Sequence, residues 1–325
     1  MLAASDVGVV PITILTGFLG AGKTTLLNRI LNGDHGLRVG VLVNDFGAIN
    51  IDADLVVGVQ DEMISLANGC VCCQIRDDLI EAVDRLLSGE HAPKYIVLEA
   101  SGIADPLGIW VTFNDATHAD RIRLDSVTCV VDADQAFAHI EDAPGLAMLK
   151  LHQVGTADLV ILNKVDLAGP AQTALVRAWI DHNMRRVRIV EANYCDVPNE
   201  VLLGVGRFDG SEAVDTAVAG DGPVDGANFE TCSYESDRPF SVQALEEMVR
   251  RNLPGTVYRC KGIVYAADHP DTRLSLQTVG RRTEITMLDA WGARPARTRI
   301  VAIGSRGGID AEGMRTAFDA CHADA

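Results

Sequence analysis

The chain has 325 residues, above the roughly 250 at which a single hydrophobic core stops growing, so two domains are expected. Hydrophobic residues make up 48% and charged residues 22%, a globular balance that excludes a disordered chain. A formal charge of -17 with no Lys/Arg run opposes phosphate backbones and anionic lipid, which excludes nucleic acid and membrane as partners and leaves a soluble protein or a cation.

Met1 to Val10 carries no basic leader pattern, and no apolar stretch approaches the roughly 18 residues of a spanning helix, so a cytoplasmic location is expected. In that compartment the eight cysteines read as thiols, some of them metal ligands, rather than as disulfides.

Val9 to Thr16 is an apolar, β-branched run that predicts a strand, and Thr24 to Leu31 predicts the helix after it. Between them, Gly17-Phe18-Leu19-Gly20-Ala21-Gly22-Lys23-Thr24 fits the phosphate-binding pattern in the context that confirms it. Glycines let backbone N–H groups turn inward around a phosphate, and the helix N-terminus adds a favourable field. Lys23 would reach the β- and γ-phosphate oxygens and the Thr24 hydroxyl would ligate Mg²⁺. Gly17, Gly20, Ala21, Gly22, Lys23, Thr24 and Thr25 are thus the phosphate-side residues.

Arg38 to Val43 predicts a second strand, and Asn44-Asp45-Phe46-Gly47 follows it. Asp45 is a candidate on the Mg²⁺ side; an exposed turn is the alternative. Next comes Gly69-Cys70-Val71-Cys72-Cys73. Three thiols within four positions are hard to justify by packing, and soft thiolates select Zn²⁺ or Cu(I). Cys70, Cys72 and Cys73 would leave a tetrahedral ion one ligand short, which suits transfer better than permanent storage. Buried small hydrophobes or a redox pair are the alternatives. His118 is a weaker candidate for the missing ligand. Cys129, Cys195, Cys232, Cys260 and Cys321 are scattered and read as structural.

Asp77 to Leu87 predicts a helix and Tyr95 to Ala100 a strand that ends in an acid. Glu99 can hold a Mg²⁺-bound water or orient the attacking one, and Gly102 can bring its N–H to a γ-phosphate; a strand-end carboxylate and a turn glycine are the alternative. Ser126 to Val131 and Leu159 to Asn163 are further strands. The second ends in Asn163-Lys164-Val165-Asp166, where the Asp166 carboxylate can accept from guanine N1–H and its exocyclic amine. Lys164 would lie over the base and Asn163 would fix the loop. Asp166 as a helix cap is the alternative.

Ala171 to Ile180 predicts a helix and Val187 to Val190 a strand. Strands alternating with helices imply a mostly parallel sheet covered on both faces, an α/β P-loop NTPase domain over residues 1–205. Asp209 to Asp237 holds eight acidic residues and no Lys or Arg, so 206–237 reads as an acidic linker or loop. Beyond it, Phe240 to Arg250 predicts a helix, Thr256 to Ala266, Leu274 to Val279, Glu284 to Leu288 and Thr298 to Ile303 strands, and Ala311 to Ala320 a last helix: a smaller α+β domain over 238–325.

With these residues assembled, the chain resembles the CobW family of P-loop GTPases. The resemblance rests on Gly17 through Thr25, on Asn68-Gly69-Cys70-Val71-Cys72-Cys73, on Glu99-Ala100-Ser101-Gly102-Ile103-Ala104-Asp105-Pro106 and on Asn163 through Asp166. Arg238-Pro239-Phe240 and Lys261-Gly262 extend it into the second domain. It implies GTP and Mg²⁺ binding, slow hydrolysis, Zn²⁺ or a similar transition metal as cargo, and a client metalloprotein as partner, with a homodimer as one assembly state. Two departures stand out: the Asp209 to Asp237 segment lacks the His-rich stretch of many members, and Val43 stands where some carry Glu. The rival functions are a GTP-gated switch with structural or redox cysteines, and a P-loop small-molecule kinase.

Overall fold

The computed structural model describes residues 9–45, 63–67, 72–89, 92–114, 121–138, 144–184, 187–203, 222–223, 229–280 and 282–323; of residues 44, 45, 63–67, 72–78, 114, 144, 222 and 223 it describes the backbone alone. Two compact units result, Met1–Asn199 and Glu200–Ala325.

The first unit alternates strands and helices: β1 (Val10–Thr16), α1 (Lys23–Asn32), β2 (Val39–Asp45), β3 (Met63–Ala67), α2 (Cys72–Ser88), β4 (Tyr95–Ala100), α3 (Pro106–Asn114), β5 (Ile122–Asp132), α4 (Pro144–Thr156), β6 (Leu159–Asn163), α5 (Val165–Asn183) and β7 (Arg188–Ala192). The strands form one seven-stranded sheet in the order β3-β2-β4-β1-β5-β6-β7, and every pairing is parallel. All residues of β4 and β6 are buried, as expected of strands covered on both sides. Ile12, Ile14, Ile96 and Leu98 pack with Leu79 and Val83 of α2 and Ile109 and Phe113 of α3. Cys129, Val160 and Leu162 pack with Val154 of α4 and Val176 and Ile180 of α5.

Because the pairing is parallel, the C-terminal ends of β1, β4, β5, β6 and β7 share one edge of the sheet, where ligands of open α/β sheets bind. The central strand is pinned by register. Leu15 lies opposite Glu99 on β4, and an irregularity between Ile12 and Thr13 skips Asp125 on β5. The Tyr95 hydroxyl donates to the skipped carboxylate at 2.6 Å and lies 2.7 Å from the Thr13 hydroxyl, so the irregularity is filled by hydrogen-bonded groups.

The second unit holds the short β8 (Gly222–Pro223), β9 (Phe229–Ser236), α7 (Val242–Glu247, ending in a π turn over Met248–Asn252), β10 (Val257–Ala266), β11 (His269–Val279), β12 (Arg282–Ala290), β13 (Thr298–Ser305) and α8 (Ala311–Asp319). A short helix, α6 (Asn199–Leu202), precedes them. The antiparallel sheet runs β12-β11-β10-β13-β9-β8. Phe240, Leu245, Met248, Met314 and Phe318 cover Cys232, Tyr234, Cys260, Val264, Leu276 and Ile300. Both helices are capped in the ordinary way: Ser241 accepts from the Ala244 N–H and Asp310 from that of Gly313.

Three strands depart from the sequence expectation: β3, and β8 and β9, which both fall in the stretch read as acidic linker. β9 occupies the end of the stretch read as acidic linker, because Cys232 and Tyr234 alternate into the core between polar residues that dominate the composition. Its Glu230 carboxylate accepts from the Ile309 N–H at 2.8 Å. β3 is five residues long, too short for its periodicity to register. Helix α5 also begins earlier than Ala171 and carries a kink at Gly169 before Pro170. Among the described residues, no helix is long and apolar enough to cross a membrane.

Phe318 is 1% exposed and its ring centroid lies 5.0 Å from that of Tyr234. Phe318→Ala is expected to cost the second unit about 3–5 kcal/mol, seen in urea as an earlier transition for that unit. A cost below about 1 kcal/mol would mean that the site collapses around the missing ring.

Candidate functional site

The turn from β1 into α1 is shaped by glycine. Gly17, Gly20 and Gly22 have φ of 134, 72 and 114°, conformations that side chains resist. Crowding adds to this at two of them. A Cβ on Gly17 would lie 2.1 Å from the Val130 carbonyl oxygen, and one on Gly22 would lie 2.6 Å from Asn163 Nδ2. The helix then starts at Lys23 with no side-chain cap, which leaves its first N–H groups for a ligand anion. Lys23 is buried, and its Nζ donates to the Phe18 carbonyl at 3.3 Å.

Beside the loop, the Thr24 hydroxyl donates to Glu99 Oε1 at 2.9 Å. Glu99 is 3% exposed, held there because β4 pairs directly with β1. A half-buried hydroxyl and a buried carboxylate in contact are hard oxygen donors, the set that suits Mg²⁺. One turn further on, a Cβ at Gly102 would meet the Leu19 side chain at 2.6 Å and its backbone N at 2.8 Å. The strand β4 loop therefore lies directly against the phosphate-type loop.

The Asn163 side chain joins three loops. It is 2% exposed; its amide donates to the Ala21 carbonyl at 2.9 Å, and its carbonyl accepts from the Cys195 N–H at 2.8 Å. The Cys195 thiol in turn lies 3.3 Å from the Gly22 carbonyl. Lys164 adopts a left-handed φ of 62° and pairs with Asp132 at 2.6 Å. The other Asp132 oxygen accepts from the Asp134 and Gln135 N–H groups. Asp166 is exposed, with its N–H on Asn193 Oδ1 at 3.0 Å.

Sequence reasoning missed the loop after β7. Tyr194 and Cys195 both have positive φ, 51 and 55°, and Arg29 ties this loop to α1 through the Tyr194 carbonyl and Asp196. By sequence Cys195 reads as one of the scattered structural cysteines, yet its thiol touches the glycine loop at the Gly22 carbonyl. The only available signal was its place just beyond a strand end, with Asn193 and Asp196 as turn formers.

Several sequence candidates lie outside the described residues: Cys70, His118, and the side chains of Asp45, Cys72 and Cys73. The backbone places Asp45 at the end of β2 and Cys72 and Cys73 at the start of α2. Among the described residues there is no group of three or more His, Cys, Asp or Glu able to hold a metal ion.

Two family descriptions match the chain. "CobW/HypB/UreG, nucleotide-binding domain" covers residues 11–191, and "Cobalamin synthesis protein cobW C-terminal domain" covers 229–322. The zinc chaperone CobW of a Sinorhizobium species is 30% identical over 98% of this chain and 99% of its own. The zinc chaperone YjiA of Escherichia coli strain K12 is 30% identical over 95% of this chain and 98% of its own. The crystal structure of Zn(II)-bound YjiA GTPase from E. coli covers 97% of this chain and 99% of that one, with 26% identity and a TM-score of 0.47.

Asn163→Ala strips a partner from the buried Ala21 carbonyl and Cys195 N–H, and each unsatisfied group costs about 1–3 kcal/mol. Calorimetric titration with Mg²⁺-GDP should show affinity reduced about tenfold or more; unchanged affinity would remove the clamp. Burial pushes the Cys129 and Cys195 thiols up to about 12 from an ordinary 9.0. Both should therefore resist alkylation at pH 8 in the native protein and react in denaturant, as read by peptide mass mapping. Their contribution to stability is whole below the unfolded value and lost as pH rises through the folded one.

Proposed function

We propose, for a chain that belongs to the CobW/HypB/UreG family of P-loop GTPases, that GTP binding and hydrolysis control the hold on Zn²⁺ or a similar ion at Cys70, Cys72 and Cys73, for delivery to a client metalloprotein. The observation that supports this best is the contact of Thr24 with Glu99 at 2.9 Å, within a glycine loop that Asn163 ties to the Asn163-Lys164-Val165-Asp166 segment. One construction thus joins a triphosphate cradle to a guanine reader.

In this reading Gly17 through Thr25 surround the phosphates with backbone N–H groups, and Lys23 gives up its Phe18 carbonyl contact for the β- and γ-phosphate oxygens. Thr24 and Glu99 would hold Mg²⁺, which when bound neutralises charge developing on the phosphates. Asp166 accepts from guanine, Lys164 swings from Asp132 to cover the base, and Asn163 keeps the loop in register. Gly102 offers its N–H to the γ-phosphate, and Asp45 is a further acid on that side. Adenine lacks the donors that Asp166 would meet, and a site built around that carboxylate rejects it.

The cargo residues run in sequence from the connection after β3, which holds Cys70, into the start of α2, which holds Cys72 and Cys73. Loops that respond to the γ-phosphate would therefore bias the thiolates as well. The coupling is reciprocal: metal must change nucleotide affinity by the factor by which nucleotide changes metal affinity. The zinc-chaperone names carried by relatives at 30% identity support this choice over a GTP-gated switch with inert cysteines or a small-molecule kinase.

Competition with a chromophoric chelator should show Zn²⁺ affinity differing about tenfold or more between the Mg²⁺-GTP and Mg²⁺-GDP forms, about 1.4 kcal/mol of coupling. The difference should vanish when Cys70, Cys72 and Cys73 are all changed to Ser. Equal affinities in both forms would leave a GTPase without gated metal. Separately, Lys23→Ala should abolish GTP turnover, and retained turnover would place the phosphate site elsewhere.

A further inference from the structure

Helix α4 supplies no residue to the motifs above, yet its buried face touches three loops of the nucleotide edge. Gln153 is 1% exposed, and its amide nitrogen donates to both the Gly102 and Ala104 carbonyls at 3.2 Å. One turn earlier, Lys150 donates to the Ala136 and Ala138 carbonyls at 2.9 Å each. Its ammonium also lies 4.8 Å from the centroid of the Phe18 ring in the glycine loop. His152, on an exposed face, contacts Asp105 at 3.0 Å.

Residues 101–104 are thus gripped from two sides. Leu19 fills the space that a Gly102 Cβ would need, and Gln153 uses both amide hydrogens to fix the carbonyls on either side of Ile103. The Ala104 N–H closes the turn on the Ser101 carbonyl at 3.0 Å. A fixed carbonyl also fixes the N–H of the residue that follows it, because the two share one peptide plane. Gln153 therefore braces the turn in which the Ser101 carbonyl is held by the Ala104 N–H, and the Gly102 N–H, coplanar with that Ser101 carbonyl, is oriented through the turn.

We infer that Gln153 is a positioning residue for GTP hydrolysis: it holds the loop after β4 in the arrangement that distinguishes GTP from GDP, and α4 links that loop to the glycine loop through Lys150. The inference rests on the reading of Gly102 as the γ-phosphate contact. It gives a helix with no nucleotide motif a share in setting the equilibrium between the two nucleotide states, as any group that bonds one loop arrangement in preference to another must.

The test uses the full-length protein with three single substitutions, each titrated with Mg²⁺-GDP and with a non-hydrolysable Mg²⁺-GTP analogue and assayed for turnover. Gln153→Met keeps length and bulk but removes both donors. It should weaken analogue binding about fivefold or more while GDP affinity stays within about twofold, and lower kcat in parallel. Gln153→Glu places acceptors against the two carbonyls and should be worse than Met in the same direction. Should the Glu variant fail to fold, the Met variant decides alone. Gly102→Ala reports on the underlying reading and should also lose discrimination between the two nucleotides. Were Gln153→Met to lower both affinities equally, or neither, while Gly102→Ala lost discrimination, Gln153 would be structural and the reading of Gly102 would survive. If Gly102→Ala left discrimination intact, the reading and the inference would fall together.

Discussion

The buried amide of Asn163 is the interaction on which the candidate site depends. Its two hydrogen bonds join the glycine loop after β1 to the turn after β7, across the end of β6. An amide suits this place because it donates to a carbonyl through its nitrogen and accepts from an N–H through its oxygen at the same time. The Cβ room denied to Gly22 by Asn163 Nδ2 and Cys195 Sγ is the steric side of the same contact. The glycine is required because the clamp is there, and the clamp reaches the carbonyl because the glycine is there.

Much of this arrangement was legible in the sequence where the physics is local. The glycine loop, the Glu99 strand and the Asn-Lys-Val-Asp turn announce themselves because each packs its chemistry into a few consecutive residues beside an apolar strand. The parts that were not legible depend on distant partners. Gln153 acts on carbonyls 51 and 49 residues away, and nothing in Leu151-His152-Gln153-Val154 marks that glutamine from any other on a helix. Tyr194 and Cys195 take positive φ under tertiary constraint, although neither is a residue that seeks it. β9 was hidden by composition, since the acidic residues in and before it outweighed the alternation of Cys232 and Tyr234.

The two units solve different packing problems. In the first, strands buried on both sides leave the glycine loop, Glu99 and Asn163 to meet at their C-terminal ends and on the connections. In the second, one sheet face is closed by α7 and α8 with aromatic contacts among Tyr234, Phe240 and Phe318. There, the strand β10 side chains Arg259 and Lys261 donate to the Val201 and Leu203 carbonyls, which secures the start of the unit to its own sheet.

The parallel order of the sheet also sets a schedule for synthesis. The glycine loop leaves a ribosome well before its wall at Val130, its clamp at Asn163 and its far contact at Cys195. At about 5–20 residues per second, roughly 10–30 s separate translation of the loop from translation of Cys195. During that interval the nascent chain holds a recognisable phosphate motif with no surroundings to shape it. Nucleotide can stabilise the folded form only after the last of those supports has emerged, so ligand-assisted folding of this unit is confined to the end of its translation.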